Sequence, residues 1–255
     1  MIVIKSDADL DRMRESGRMA ATVRERLAAA VAPGMLTEEL GALAADWIQG
    51  MGGESAFLGY HGFPGVICVS VNEEVVHGIP GKRRIGVGDV ISIDVGVRYR
   101  GFIGDTATTV MVGVTDPEVI RLVNATREAL EAGIQQATVG NRLSDISHAI
   151  EKRSTQDGFS VVREFVGHGI GKTMHEEPQI PNYGAPGRGP LLKAGMTLAL
   201  EPMVNQGKAK VRVLEDGWTV VTADGKASCH FEHTVAIVDG KAEILSCPEE
   251  VPAKS

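Results

Sequence analysis

Cysteine is scarce in this chain and shows no pairing pattern. Cys68, Cys229 and Cys247 are odd in number and have neither disulfide-framework nor zinc-type spacing. Aromatic residues are equally few, at 4%, so the core has to be built from Val, Ile, Leu, Ala and Met. No apolar run approaches the ~20 residues of a membrane helix. The opening MIVIKSDADLDRMRE turns charged at once, without the apolar stretch of a secretory signal. An excess of positive charge is missing too: the formal balance is −7, which argues against wholesale binding of nucleic acid or anionic lipid. These absences predict a reduced, cytoplasmic protein with no membrane partner and no nucleic-acid specificity.

The 255 residues, 43% of them hydrophobic, suffice for one large domain or two fused halves. Over residues 7–31, Leu10, Met13, Ala20, Val23 and Leu27 recur on one helical face, and the helix is expected to stop at Ala32-Pro33-Gly34. Thr37 is the expected N-cap of a second helix, with Leu40, Leu43, Ala44 and Trp47 inward. Residues 66–112 turn to β, with GVICVSVN, DVISIDVGV and FIGDTATTVMVGV as strands and turn chemistry at 78–81. The order then repeats. Asp116-Pro117 opens a helix, Ser144 is expected to cap another, and FSVVREFV, MTLALEPMV, GWTVVTAD and HFEHTVAIV read as strands. Two helices followed by sheet, twice, predicts an α+β fold of two pseudo-symmetric halves; two unrelated α+β halves are the alternative. No linker separates them, so a single catalytic domain over 1–255 is expected, with halves at about 6–114 and 115–247.

Five potential metal ligands sit in these strand-like or tight-loop runs. They are Asp94 in ISIDVGV, Asp105 in GFIGDTATT, His168 in EFVGHGIGK, Glu201 in LALEPMV and Glu232 in CHFEHTVAIV. Taken singly, each reads as a solvated strand carboxylate or a hydrogen-bonded core histidine. Taken together they do not, because alternating apolar neighbours turn Asp94, Glu201 and Glu232 into the fold. Burying an ionised carboxylate costs several kcal/mol, and four together require positive charge among them. A hairpin turning at Tyr99-Arg100 would place Asp94 directly opposite Asp105, Cβ atoms ~5 Å apart, with Ile91, Ile93, Val95 and Val97 on the other face. Four carboxylates with one imidazole and no thiolate suit a pair of Mn²⁺, Fe²⁺, Co²⁺ or Zn²⁺ ions better than a structural zinc. Such pairs lie ~3.5–4 Å apart and acidify a water between them.

The runs YHGFPGVICVSVNEEVVHGIP, IDVGVRYRGFIGDTATT, VVREFVGHGIGKTMHEEP, LALEPMVN and DGWTVVTADGKASCHFEHTV closely resemble the bacterial type I methionine aminopeptidases, in the same order over about residues 6–245. The resemblance implies the pita-bread fold, with helices outside a curved, mainly antiparallel sheet, and removal of the initiator methionine from nascent polypeptide N-termini. It implies two divalent metal ions (Co, Mn, Fe or Zn): Asp94 chelating one, His168 and Glu201 the other, Asp105 and Glu232 bridging. Glu201 would also shuttle a proton, His77 would sit at the scissile amide, and His175 would donate to the substrate carbonyl. Tyr60, Phe63, Cys68 and Trp218 would wall the methionine slot. Phe57 stands where a cysteine is common and Met174 where an aromatic is common, so the slot's shape departs from the family's while staying apolar. Asn72 and Ser228 match residues that help hold a monovalent cation in some relatives.

Other readings have specific markers. An X-Pro peptidase of the same fold usually carries a large extra N-terminal domain, and here the first ligand strand follows only two helices. A non-catalytic binding module of that fold usually loses ligands, and all five are present. The run Lys82-Arg83-Arg84 reads as a solvated loop before it reads as a transient ribosome contact, and a monomer is expected. Ile2 is branched and larger than the second residues this family tolerates. The protein is therefore expected to keep its own Met1, and an intact-mass spectrum lacking Met1 would contradict that rule.

Overall fold

Four helices carry the apolar stripes that the sequence predicts, and their ends reveal the internal repeat. In the computed structural model, which describes residues 1–248, α1 spans Asp7–Ala30. The remaining residues of the expected 1–255 domain lie outside the described residues. The Ser6 hydroxyl accepts from Asp9 N, and Asp9 reaches back to Ser6 N, closing a capping box. α2 spans Thr37–Gly50, but its cap position is Leu36 and not Thr37. The Glu39 carboxylate accepts from Leu36 N at 2.6 Å, while the Thr37 hydroxyl is engaged with Gly81. Its buried face is Thr37, Leu40, Ala44 and Ile48; Leu43 and Trp47 are only half-buried.

In the second half, α3 (Pro117–Gln136) starts as expected at Asp116, whose carboxylate accepts from Glu118 N. α4 (Leu143–Gln156) is capped from Arg142, not Ser144: Asp145 accepts from Arg142 N at 2.7 Å, and the Ser144 hydroxyl accepts from Arg188 N. Both corrections have one cause. A carboxylate three residues downstream satisfies the N–H ahead of the helix, which frees the hydroxyl for a neighbouring loop. The bridges Leu36↔Arg84 and Arg142↔Leu191, and the left-handed Gly34 and Gly140, repeat in the same places. The halves are pseudo-symmetric.

A nine-stranded antiparallel sheet runs through both halves. Its order is Glu54–Ser55, Val90–Tyr99, Phe102–Met111, Glu232–Val238, Thr197–Leu200, Gly167–Gly169, Glu176–Ile180; Cys68–Val71 adds to the second strand and Lys241–Ile244 to the fourth. Four of the expected strands are shortened or broken: FSVVREFV yields only Ser160–Val161, GWTVVTAD only Val220–Thr222, MTLALEPMV breaks at Glu201-Pro202 and HFEHTVAIV at Phe231. The hairpin turns at Arg100-Gly101, both with positive φ (49° and 82°), and not at Tyr99-Arg100. A two-residue turn with both φ positive favours glycine at its second position, and this fixes the register two residues away from the expected one. Asp94 therefore faces Ala107, and Asp105 faces Gly96.

The two halves meet between Phe102–Met111 and Glu232–Val238, where only two residue pairs are in ladder register. Threonine hydroxyls extend the seam. Thr106 donates to Glu232 O, Thr109 to His230 O and Thr234 to Asp105 O. On the helix side, α1 and α2 cover Ile91, Ile93, Val95 and Val97, while α3 and α4 cover Leu198, Leu200, Val235 and Ile237. No helix among the described residues is long and apolar enough to cross a membrane.

α1 approaches the central strands through two glycines. A Cβ on Gly104 would lie 2.5 Å from Gly17 Cα, and one on Gly17 would lie 2.4 Å from Leu245 O. Backbone on both sides leaves nothing to yield. Gly104→Val is expected to lower unfolding stability by about 2–3 kcal/mol or more; denaturant titration should show a lower midpoint with the slope unchanged.

Candidate metal centre

Cross-strand register builds the site. Cys68 faces Asp94, Asp94 faces Ala107, and Ala107 faces Glu232, so four strands place these residues in one row on one face of the sheet. Asp105 lies two residues from Ala107 and shares that face. On the next strands His168 faces Ala199, which faces Thr234, two residues from Glu232; Glu201 follows directly after Leu200. Between Asp94 and Glu232 the row holds only the methyl of Ala107, a position the sequence reading passed over.

These groups line a cavity of about 210 Å³ together with His77, His175, Tyr60, Phe63, Cys68 and Trp218. The structure thus brings together every candidate residue for the metals, the catalysis and the methionine slot, and Phe57 and Met174 line the same space. Asn72 and Ser228 lie elsewhere, joined by Ser228 N donating to Asn72 O. Asn72 Oδ1 accepts from Val90 N, and the Ser228 hydroxyl donates to Asn205 Oδ1.

The cluster consists of acceptors facing acceptors. Single ligand atoms of Asp105, His168 and Glu232 lie within 4.8 Å of one another. His168 Nδ1 is 2.9 Å from Gly169 O, a carbonyl that can only accept. The ring hydrogen is therefore on Nδ1, and the Nε2 lone pair points at Glu201 Oε1, 3.4 Å away. Asp94 Oδ1, Asp105 Oδ1 and Glu232 Oε1 are buried with no hydrogen-bond donor. Two lone pairs in contact repel unless a proton or a cation lies between them. Hard oxygen donors plus one neutral imidazole fit divalent cations, which would satisfy these orphaned atoms.

Burial pushes all four carboxyls up, and their mutual repulsion adds to it for Asp94, Glu201 and Glu232. Asp105 is raised to about 7. The imidazoles move the other way, since burial disfavours their charge. His77 and His168 fall to about 4 and His230 to about 3.

Around the cluster the remaining groups are positioned by tight backbone. His77 has φ of 60°, and Gly78 beside it has no room for a side chain: a Cβ would lie 2.2 Å from Val69 O. A non-glycine residue held in that region carries roughly 1–3 kcal/mol of strain, common where a side chain must be aimed. The His77 ring meets Phe165 edge-on at 5.5 Å, and Trp218 meets Phe63 at 5.1 Å. Tyr60 Oη is 2.7 Å from His175 Nδ1. When the phenol donates, the His175 hydrogen sits on Nε2, the nitrogen turned away from Tyr60. Two histidines outside the predicted site belong here: His61 lines the cavity, and buried His230 has Nε2 4.0 Å from both Glu201 and Glu232. Neither lies in a run that distinguishes it from a core or loop histidine. His148 and His233 lie outside the cavity lining.

A curved sheet of two related halves, with a buried carboxylate and imidazole cluster at the seam, defines a metal-dependent hydrolase of the pita-bread class. The chain belongs to metallopeptidase family M24, whose family model matches residues 11–239. It is 51% identical over 246 residues to methionine aminopeptidase 1 of Bacillus subtilis, covering 96% of this chain and 99% of that one. The crystal structure of methionine aminopeptidase from Thermotoga maritima superposes with a TM-score of 0.95 at 45% identity, covering 97% of this chain and all of that one. A prolidase from Pyrococcus furiosus shares the fold alone, with a TM-score of 0.78 at 20% identity over 97% of this chain and 66% of that one.

The opposed shifts give a signed pH prediction for chelator-stripped protein. Histidines with lowered folded values add stability as pH rises from about 4 to their unfolded value near 6.5. Carboxyls with raised folded values act in reverse: their contribution is fully present below about 4 and is lost as pH rises through about 7 and beyond. Above pH 6.5 only the carboxyl effect remains. Stripped protein is expected to lose stability on going from pH 6.5 upward, and Mn²⁺ is expected to abolish that slope. Melting temperatures measured with and without Mn²⁺ across this range check both.

Proposed function

We propose that this chain is a metal-dependent aminopeptidase that releases N-terminal methionine from nascent polypeptides and peptides whose second residue is small. The observation that carries the reading is the joining, in one cavity, of an acceptor-only cluster to an apolar slot walled by Tyr60, Phe63, Cys68 and Trp218. Relatives at 51% and 48% identity, named methionine aminopeptidases, support the same substrate. Asp94 would hold one divalent ion, His168 and Glu201 the other, with Asp105 and Glu232 between them. Bound there, divalent ions polarise the substrate carbonyl and make a water nucleophilic at neutral pH.

The chain's own groups then divide the work. The apolar wall takes an unbranched thioether side chain and excludes water from the reacting carbonyl. Glu201, whose carboxylate lies beside His168 in the cluster, would accept a proton from the attacking water and return it to the departing nitrogen. His175, neutral and tied to Tyr60, offers Nε2–H to the developing oxyanion. His77, kept neutral by burial, lies beside Trp218 in the cavity lining and would orient the departing amide. We place this activity in one catalytic domain, acting as a monomer in the cytoplasm. Two of the three basic side chains at 82–84 are occupied within the fold, Arg83 with Glu73 and Glu74 and Arg84 with Gly34 O, which favours the solvated-loop reading over a ribosome contact. A monovalent cation would find the Asn72 carbonyl and the Ser228 hydroxyl lone pairs, not the Asn72 amide.

Hydrolysis of Met-Ala-Ser and Met-Ile-Ser by stripped protein, with and without added Co²⁺ or Mn²⁺, tests the proposal. Methionine should be released from the first peptide alone and only with metal. Glu201→Ala should abolish release, and His175→Ala should slow it roughly 100- to 1,000-fold. If neither peptide is cleaved while metal is demonstrably bound, the reading fails.

A further inference from the structure

Lysine is seldom buried in a folded chain unless an acid meets it. Lys5 is buried, and its ammonium pairs with the Glu176 carboxylate, which is itself largely covered. The pair joins the segment ahead of α1 to the residue after His175. Both ends are anchored. Lys5 N donates to Gly195 O at 2.8 Å, and Ser6, the next residue, is held in the capping box of α1. The other oxygen of Glu176 accepts from Lys172 N at 3.1 Å, and its backbone pairs with Gly169 in the ladder. Gly171 lets these groups close up: a Cβ there would lie 2.6 Å from Glu176 Oε1 and 2.7 Å from Lys5 Cε.

We propose that Lys5 is a positioning residue for His175, acting through Glu176, so that the N-terminal segment helps to fix the oxyanion donor. This rests on the proposed aminopeptidase function and adds to it a residue outside the cavity lining.

Geometry gives the effect its direction. His175 is the last residue of the loop 170–175, which joins the strands Gly167–Gly169 and Glu176–Ile180. Its ring is held at Nδ1 by Tyr60, while its backbone is held by Glu176, which follows it. With Lys5 removed, the Glu176 carboxylate would be left covered without its cation and would turn toward water. Its bond to Lys172 N would go with it, and the loop which that bond closes would loosen. A wandering donor loses more contact with the oxyanion than with ground-state substrate, so turnover falls more than binding. The walls Tyr60, Phe63, Cys68 and Trp218 lie outside this loop and keep the slot in shape. A role confined to fold stability differs: an apolar pair of similar size would serve as well as the ion pair, and the effect would not depend on His175.

Lys5→Met keeps the length of the side chain and removes its charge. In full-length protein with Mn²⁺ it should lower kcat on Met-Ala-Ser roughly 5- to 50-fold, with KM within about twofold of the parent. In the His175→Ala background the same substitution should change kcat by less than about twofold, since the donor it positions is gone. Lys5→Met/Glu176→Met leaves no buried charge unpaired; it should regain the parent's melting temperature and keep the loss of kcat. Imidazole ¹⁵N spectra of the Zn²⁺-loaded chain, assigned with His175→Ala, give a readout apart from activity. Lys5→Met should shift or broaden the His175 signals and leave those of His148, outside the cavity lining, in place. An unchanged kcat in Lys5→Met, an equal loss with and without His175, kcat restored along with stability in the double variant, or an unmoved His175 signal overturns the role of Lys5. If the parent cleaves nothing with metal bound while the His175 signals do respond, the aminopeptidase reading falls and the positioning of His175 by Lys5 stands.

Discussion

Everything in this fold is arranged around lone pairs that point at one another. Asp94, Asp105, Glu201, Glu232 and the unprotonated nitrogen of His168 converge on one face of the sheet without a donor among them. Each buried ionised carboxylate is unfavourable by several kcal/mol, and a domain has only about 5–15 kcal/mol of net stability. Four such groups cannot be ionised together in the absence of cations. The folded state without metal must hold protons there, and the state with metal exchanges them for charge. Metal binding and stability are therefore one equilibrium in this protein.

The rest of the architecture keeps those groups in register. The halves share only a short ladder at their seam, so alignment depends on the threonines at 106, 109 and 234, whose hydroxyls bond across it. α1 closes over the seam at backbone distance through Gly17 and Gly104. The seam is thus clamped from the helix side while the opposite face stays open to substrate. Repetition of the two-helix unit supplies symmetric support on either flank, each with its own apolar core.

Much of this was legible in the chain. Period-3.6 stripes located α1 and α3, and the alternation around Asp94 and Glu232 told which way those carboxylates point. The resemblance pointed to His77 and His175, and the structure brings both to the cavity. What stayed illegible was decided by local competition. Thr37 and Ser144 look like caps, yet Glu39 and Asp145 take that task. The Asp94 hairpin has two plausible turns one residue apart, and the pair of positive φ angles selects Arg100-Gly101. The diagonal placement of Asp94 and Asp105 follows from that choice, although same-face geometry survives because the shift is by an even number of residues. His61, His230 and Ala107 carry no sequence signal because their importance comes from neighbours distant in the chain.

The same register explains why the apolar slot and the cluster belong to one device. Cys68 occupies the row that continues through Asp94, Ala107 and Glu232, so a wall of the slot and three of the site's positions are spaced by the sheet itself. On the proposed function, a side chain that enters to full depth would bring its own carbonyl to a fixed place relative to the carboxylates. One that is too short or branched near the backbone stops elsewhere. Discrimination would then arise from position as well as from apolar contact, which alone distinguishes a methylene by only ~1–3 kcal/mol. Slippage of one strand would displace Cys68 and the cluster together, so on the proposed function the clamp at the seam would act on substrate choice as well as on stability.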